Sequence, residues 1–134
     1  MCARILIVSS DSRTPALIRA CLKDAPAETD WVATLESAQK RLHSEKPPDL
    51  IYLHPYLTDC ATEALPSFVK SSFAAGTVIL VVKPDMDIDL VKSFYRSGVD
   101  SHVELFNDGD AFRHILTSAK NCFLRQERKE RAIA

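Results

Sequence analysis

The chain has 134 residues, 46% hydrophobic and 26% charged, with 17 bases against 18 acids. That suffices for one compact domain around one core, and no apolar run approaches the ~18 residues of a membrane span. The three glycines, Gly76, Gly98 and Gly109, are too scattered for a dinucleotide fingerprint or a phosphate-cradling loop, which excludes nucleotide enzymes of those designs.

Met-Cys-Ala-Arg runs straight into Ile5-Leu6-Ile7-Val8. With neither a charged leader nor a cleavage site, a cytoplasmic location is expected. Cys2, Cys21, Cys60 and Cys122 have neither zinc-knuckle nor Cys-x-x-Cys spacing, so reduced thiols are expected. A strand over Arg4 to Val8 leads to a helix with Thr14 as cap and Pro15 in the first helical position, where a missing N–H costs nothing. Leu17, Ile18, Cys21 and Leu22 form its apolar stripe, and Pro26 lies beyond its end.

A second strand is expected over Trp31 to Thr34, and a second helix over Leu35 to Ser44, stopped by Pro47-Pro48. The third strand covers Leu50 to Leu53. A helix over Ala61 to Ala74, starting at Leu65 if Pro66 is to sit in a first turn, precedes a strand over Thr77 to Val82. The next helix, Ile88 to Ser97, is closed by Gly98 as a left-handed cap. With Ile88 and Val91 facing inward, Phe94 and Tyr95 cannot both reach the core. A fifth strand over His102 to Phe106 and a last helix from Asp108 or Asp110 complete the series.

Strand and helix in strict alternation imply parallel pairing through crossovers, hence a three-layer α/β sandwich. Ligands in such a sheet sit beyond the carboxyl ends of the strands. The positions there are Ser9, Ser10 and Asp11 after the first strand, His54 after the third, Val82 and Lys83 after the fourth, and Leu105 after the fifth. No nucleophile, base and orienter coincide among them. His43, His54, His102 and His114 lack metal-ligand spacing. Neither catalysis nor a metal or cofactor is expected.

Ile5-Leu6-Ile7-Val8 followed by Ser9-Ser10-Asp11-Ser12, then Pro48-Asp49-Leu50-Ile51-Tyr52-Leu53-His54, Thr77-Val78-Ile79-Leu80-Val81-Val82 and Ser97-Gly98-Val99-Asp100, occur in that order. Through them, residues 3 to 118 resemble a response-regulator receiver domain. The resemblance implies a flavodoxin-like, CheY-like sheet of parallel strands in the order 2-1-3-4-5 and a part in two-component signal transduction. It also implies where the working residues of that family fall. The carboxylate pair that holds Mg²⁺ falls on Ser9 and Ser10, with Asp11 one place on. The phosphoacceptor aspartate falls on His54, the phosphate-reading hydroxyl on Val82 or Lys83, the phosphate-pairing lysine on Leu105, and the proline behind it on Phe106. Mg²⁺ is a hard ion held by charged oxygens, which serine hydroxyls do not supply. Without it, charge developing on a transferred phosphoryl group loses its main stabiliser. A degenerate pseudo-receiver is expected.

Residues 118 to 134 carry five bases against two acids, a net +3, which leaves −4 for residues 1 to 117. Their charges interleave and Phe123 is their one aromatic, a pattern that favours a solvated helix face over nucleic-acid contact. Phe112, Ile115, Leu116, Ala119, Cys122 and Phe123 recur at helical spacing. A receiver-like domain over 1–118 is therefore expected, with a basic helical extension over 119–134 as an output linker or homodimer seam.

The function expected from this reading is phosphorylation-independent recognition of a protein partner, with no nucleic-acid or membrane partner. Its surface is the fourth helix, fifth strand and last helix, with Phe94, Tyr95, His102, Cys122 and Phe123 as candidate contacts. His102, four residues after Gly98, falls where the resemblance places a switching aromatic. The alternative is a small-anion or metabolite sensor that uses Ser9, Ser10, His54 and Lys83 in the altered crevice.

Overall fold

The structure is a computed structural model, and it describes residues 3–22, 27–44, 48–72, 77–82 and 86–104. The expectations for Lys83, Leu105, Phe106, Cys122, Phe123, the last helix and the division at residue 118 lie outside the described residues. The described elements are β1 (Ala3–Val8), α1 (Arg13–Cys21), β2 (Ala27–Val32), α2 (Leu35–Ser44), β3 (Leu50–Leu53), α3 (Leu65–Ser72), β4 (Thr77–Val82), α4 (Ile88–Arg96) and β5 (Ser101–Glu104). The strands form one parallel sheet in the order β2-β1-β3-β4-β5, the doubly wound order expected.

Strand side chains alternate between faces, and the near-continuous apolar runs of β1, β3 and β4 therefore feed two cores. Ile5, Ile7, Leu50, Tyr52, Ile79, Val81 and Val103 pack with Ile18 and Leu22 at α1. Leu6, Val8, Ile51, Leu53, Val78, Leu80 and Val82 pack with Ala38 of α2, Leu65 and Val69 of α3 and Phe94 of α4. Both faces of the central strands are thus covered, which is why those strands are hydrophobic throughout rather than at every second residue.

Two aspartates that carried the resemblance do their work at the amino end of the sheet. Asp49 accepts the Arg4 N–H at 2.9 Å and donates its own N–H to the Arg4 carbonyl at 2.8 Å. Asp100 does the same for Val78, at 2.8 and 2.9 Å. Each one satisfies the opening backbone groups of a neighbouring strand. Gly98 adopts φ 113°, and the bonds Val99 N–H to Phe94 O and Gly98 N–H to Tyr95 O, both 3.2 Å, close α4 in a Schellman motif.

Three local expectations require correction. The second strand lies at Ala27–Val32, not Trp31 to Thr34. As an edge strand it has a half-exposed, polar sequence, Ala-Glu-Thr-Asp-Trp-Val, and lacks the apolar run that identifies an interior strand. Thr14 lies inside α1 and is not its cap. Ser12 is the capping residue but makes no side-chain cap, and the Asp11 carboxylate takes the Arg13 N–H at 3.0 Å instead. Ile88 does not face inward. Phe94 is the buried residue of α4, and the partly buried Leu90 and Val91 pack with it against the core, leaving Ile88 67% exposed. Helix α3 starts at Leu65 after a 3-10 turn over Thr62–Ala64, so Pro66 falls in a first turn, where it costs no hydrogen bond.

Candidate functional site

The carboxyl ends of β1 and β3 are paired strand to strand, and the His54 N–H continues the ladder to the Val8 carbonyl at 2.9 Å. Ser9, likewise in line, donates its N–H to the Val32 carbonyl at 3.0 Å. The fold therefore brings Ser9, Ser10, Asp11 and His54 to one rim. Val82, at the carboxyl end of β4, is an apolar side chain buried in the core cluster shared with α2, α3 and α4.

The polar groups on this rim are occupied by the chain itself. Ser9 is fully buried, and its Oγ folds back on the next turn, donating to the Asp11 carbonyl at 3.0 Å and accepting the Asp11 N–H at 3.1 Å. Ser10 Oγ donates to the Ala33 carbonyl at 2.7 Å and accepts the Thr58 N–H at 3.1 Å. The Asp11 carboxylate is engaged at the start of α1. Short hydroxyl side chains commonly bond nearby backbone in this way. The oxygens present do not fit a divalent cation, since the two at the carboxylate-pair positions are neutral and already committed to backbone groups. Among the described residues, no cluster of three or more His, Cys, Asp or Glu side chains is arranged to hold a metal ion.

His54 is 4% exposed. Its Nδ1 lies 3.2 Å from the Tyr56 backbone nitrogen and 3.3 Å from the Tyr56 carbonyl oxygen, so this ring nitrogen is engaged by backbone in either tautomer. Tyr56 lies edge-on above it, ring centroids 6.0 Å apart. A nucleophilic imidazole needs a free lone pair and access to the phosphoryl donor. Here one nitrogen is spent on backbone and the ring is covered.

Trp31, Thr58 and Asp59 also belong to the site, although the sequence reading assigned them no part in it. Trp31 Nε1 donates to the Ser9 carbonyl at 2.8 Å, pinning the end of β2 to that of β1. The Asp59 carboxylate accepts the Leu35 N–H at 2.9 Å and the Glu36 N–H at 3.1 Å, capping α2 from another loop. Thr34 Oγ1 takes the Ser37 N–H at 3.1 Å. The bond from the Leu35 amide, ahead of the other contributions, holds the Asp59 carboxyl below the usual carboxylate range. A capping box formed within one segment is legible in sequence, whereas a cap supplied by a residue 24 positions away leaves no local signal.

At the other flank, Tyr95 is 39% exposed on α4 and its hydroxyl is hydrogen-bonded to Nδ1 of His102 on β5, the rings meeting edge to face at 5.8 Å. Burial pushes the Tyr95 phenol up from its ordinary pKa. Phe94 is fully buried beneath. It is therefore removed from the candidate contacts, and Ile88, which the sequence reading had turned inward, takes its place on the outer surface.

No protein-family model and no curated protein matches the sequence. Solved structures do match it. The signal receiver domain of a LuxO repressor protein from Vibrio parahaemolyticus has a TM-score of 0.80 at 20% identity, over 100% of this chain and 99% of that one. A CheY-like response regulator receiver domain protein from Methanospirillum hungatei JF-1 gives 0.77 at 19% identity, over 96% and 99%. NtrX from Brucella abortus gives 0.78 at 20% identity, over 98% of this chain and 29% of that longer one. Strand order, the paired cores and these likenesses together identify the fold of this chain as that of the response-regulator receiver domains.

Proposed function

We propose that this chain is a signalling module of receiver type that acts by binding a protein partner and does not accept a phosphoryl group at the rim of its sheet. The observation that carries the reading is the rim itself. The residue at the phosphoacceptor position is a covered histidine whose Nδ1 is bonded to backbone, and the hydroxyls at the metal positions are bonded inward. Transfer to an aspartate would need a free carboxylate and a metal-bound counter-charge; the rim carboxylate of Asp11 is engaged by the Arg13 N–H, and the described residues form no cluster arranged to hold a metal ion.

The partner surface in this proposal is the flank bearing Ile88, Tyr95 and His102, where large apolar groups face solvent. NtrX, in which a region of this shape makes up 29% of a longer chain, is one precedent for attachment to further domains. A cytoplasmic location belongs to the same proposal. The rival sensor reading is weakened because Ser9, Ser10 and His54, which would have to bind the ligand, are already hydrogen-bonded within the chain.

The test is incubation with a small phosphodonor and Mg²⁺, followed by intact-mass measurement. No adduct is expected, and one stable aspartyl phosphate would end the proposal. In parallel, a thermal-shift screen with millimolar anions is expected to show no stabilisation. A ligand at 100 times its dissociation constant would add ~2.7 kcal/mol and would restore the sensor reading.

A further inference from the structure

We propose that the loops following β1, β2 and β3 form a single hydrogen-bonded strap over the carboxyl end of the sheet, fastened at Ser10 and Asp59 and opening only as a unit. This goes beyond the proposed function, because the strap leads from the crevice toward α2 and the β2 edge, the flank opposite the one bearing Tyr95 and His102.

The strap is written in three successive residues. Leu57 is buried in the core and anchors the loop after β3. Thr58 donates its N–H to Ser10 Oγ at 3.1 Å, and its own hydroxyl lies 3.4 Å from the same oxygen. Ser10 in turn donates to the Ala33 carbonyl at 2.7 Å, so one hydroxyl joins all three loops. Asp59, next in the chain, closes on the Leu35 and Glu36 N–H groups at the start of α2. Trp31, reaching from β2 to the Ser9 carbonyl, ties the same corner from the other side.

Physical coupling follows from adjacency. Thr58 and Asp59 are exposed, so water competes for each bond and neither is strong alone. Fixing the backbone at Thr58, however, also fixes the neighbouring Asp59. The second bond then forms with most of its ordering entropy already spent. Ser10 and Asp59 are thus positioning residues for one another across the loop, though they do not touch.

Amide hydrogen exchange by NMR on the full chain tests this. Ser10→Ala is expected to accelerate exchange at Leu35 and Glu36 about tenfold, although Ser10 contacts neither, and Asp59→Ala to do the same at Thr58, as residues coupled through one network do. Asp59→Asn, which keeps the shape and one acceptor, is expected to give a smaller effect of the same kind. Ile7 and Tyr52 amides, deep in β1 and β3, serve as controls that the sheet is intact. Emission from Trp31, the chain's one tryptophan, is expected to move with both variants. If each substitution loosens only the amides it contacts and Trp31 emission is unchanged by Asp59→Ala, the loops are independent and the proposal is overturned.

Discussion

The rim of the sheet and the α4–β5 flank receive the same kind of residue, polar or aromatic groups at the ends and outer faces of elements, yet resolve them in opposite ways. At the rim, Ser9, Ser10, Asp11, His54 and Asp59 all turn to backbone groups of the chain. On the flank, Ile88 and Tyr95 keep much of their surface in water, and the phenol of Tyr95 meets another exposed side chain, His102. A region whose polar groups are satisfied internally has little left to offer a ligand. One that leaves apolar area exposed gains by covering it. Among the described residues Ile88 is the most exposed large hydrophobic side chain, whereas Trp31 and Tyr56 at the rim are about as exposed as Tyr95, so the contrast rests on Ile88 and on the inward-turned polar groups.

The contrast is sharpest within α4, where adjacent residues belong to different worlds. Phe94→Ala is expected to cost about 3–5 kcal/mol by opening a cavity under the helix, whereas Tyr95→Ala is expected to stay within about 1 kcal/mol. Urea unfolding of the two variants measures the difference. Comparable losses would mean that Tyr95 is a core residue and that the flank has no free surface.

At the end of the same helix, Gly98→Ala is expected to destabilise by about 1–2 kcal/mol, the cost of a left-handed backbone for a residue with Cβ. Nothing lies within 4 Å of the position a Cβ would take, so the loss comes from φ 113° and not from a clash. Gly98→Asn, which tolerates that region better, is expected to recover part of it in the same unfolding experiment.

Sequence and structure agree best where hydrophobic pattern and chain punctuation speak together. Strands β3 and β4, helix α2 and the glycine closure of α4 stand at the positions expected. The pattern failed where burial was one-sided or help came from afar. Strand β2 lies at the sheet edge and pairs through backbone, with too few apolar residues to announce itself. The phase of α4 was misjudged because Ile88 is hydrophobic but begins the helix on its outer side. At the rim, the sequence named Ser9, Ser10, Asp11 and His54 correctly as neighbours. The bonds from Ser10 to Ala33 and Thr58, and the arrival of Asp59 at α2, depend on tertiary approach that no local spacing encodes.

A smaller effect probes the rim by pH. The folded state holds Asp59 below its ordinary carboxyl value, so it takes up a proton less readily than the unfolded chain does. The stabilisation from its bonds to Leu35 and Glu36 is therefore complete above the unfolded pKa of ~3.9 and is lost as pH falls through the lowered value. Asp59→Asn removes that titration. Its stability is expected to fall less steeply than that of the parent on the acid side of pH ~4, while lying below it at neutral pH. Parallel acid limbs would show that the carboxylate is solvated and that the bonds to α2 are not formed in solution.

The smallest effect concerns the flank, where it separates shape from hydrogen bonding. Tyr95→Phe keeps the ring and deletes the hydroxyl that meets His102, at an expected cost of ~0.5 kcal/mol in a partly exposed site. Because burial raises the Tyr95 phenol, its neutral form is the one the fold favours. That contribution is present below the unfolded pKa of ~10 and disappears as pH rises through the raised folded value. Ultraviolet titration of the parent against Tyr95→Phe should therefore show that the phenol missing from the variant ionises above the ordinary tyrosine range. If the phenol missing from the variant instead ionises in the ordinary tyrosine range, it is free in solution, and His102 does not restrain the aromatic on the proposed docking surface.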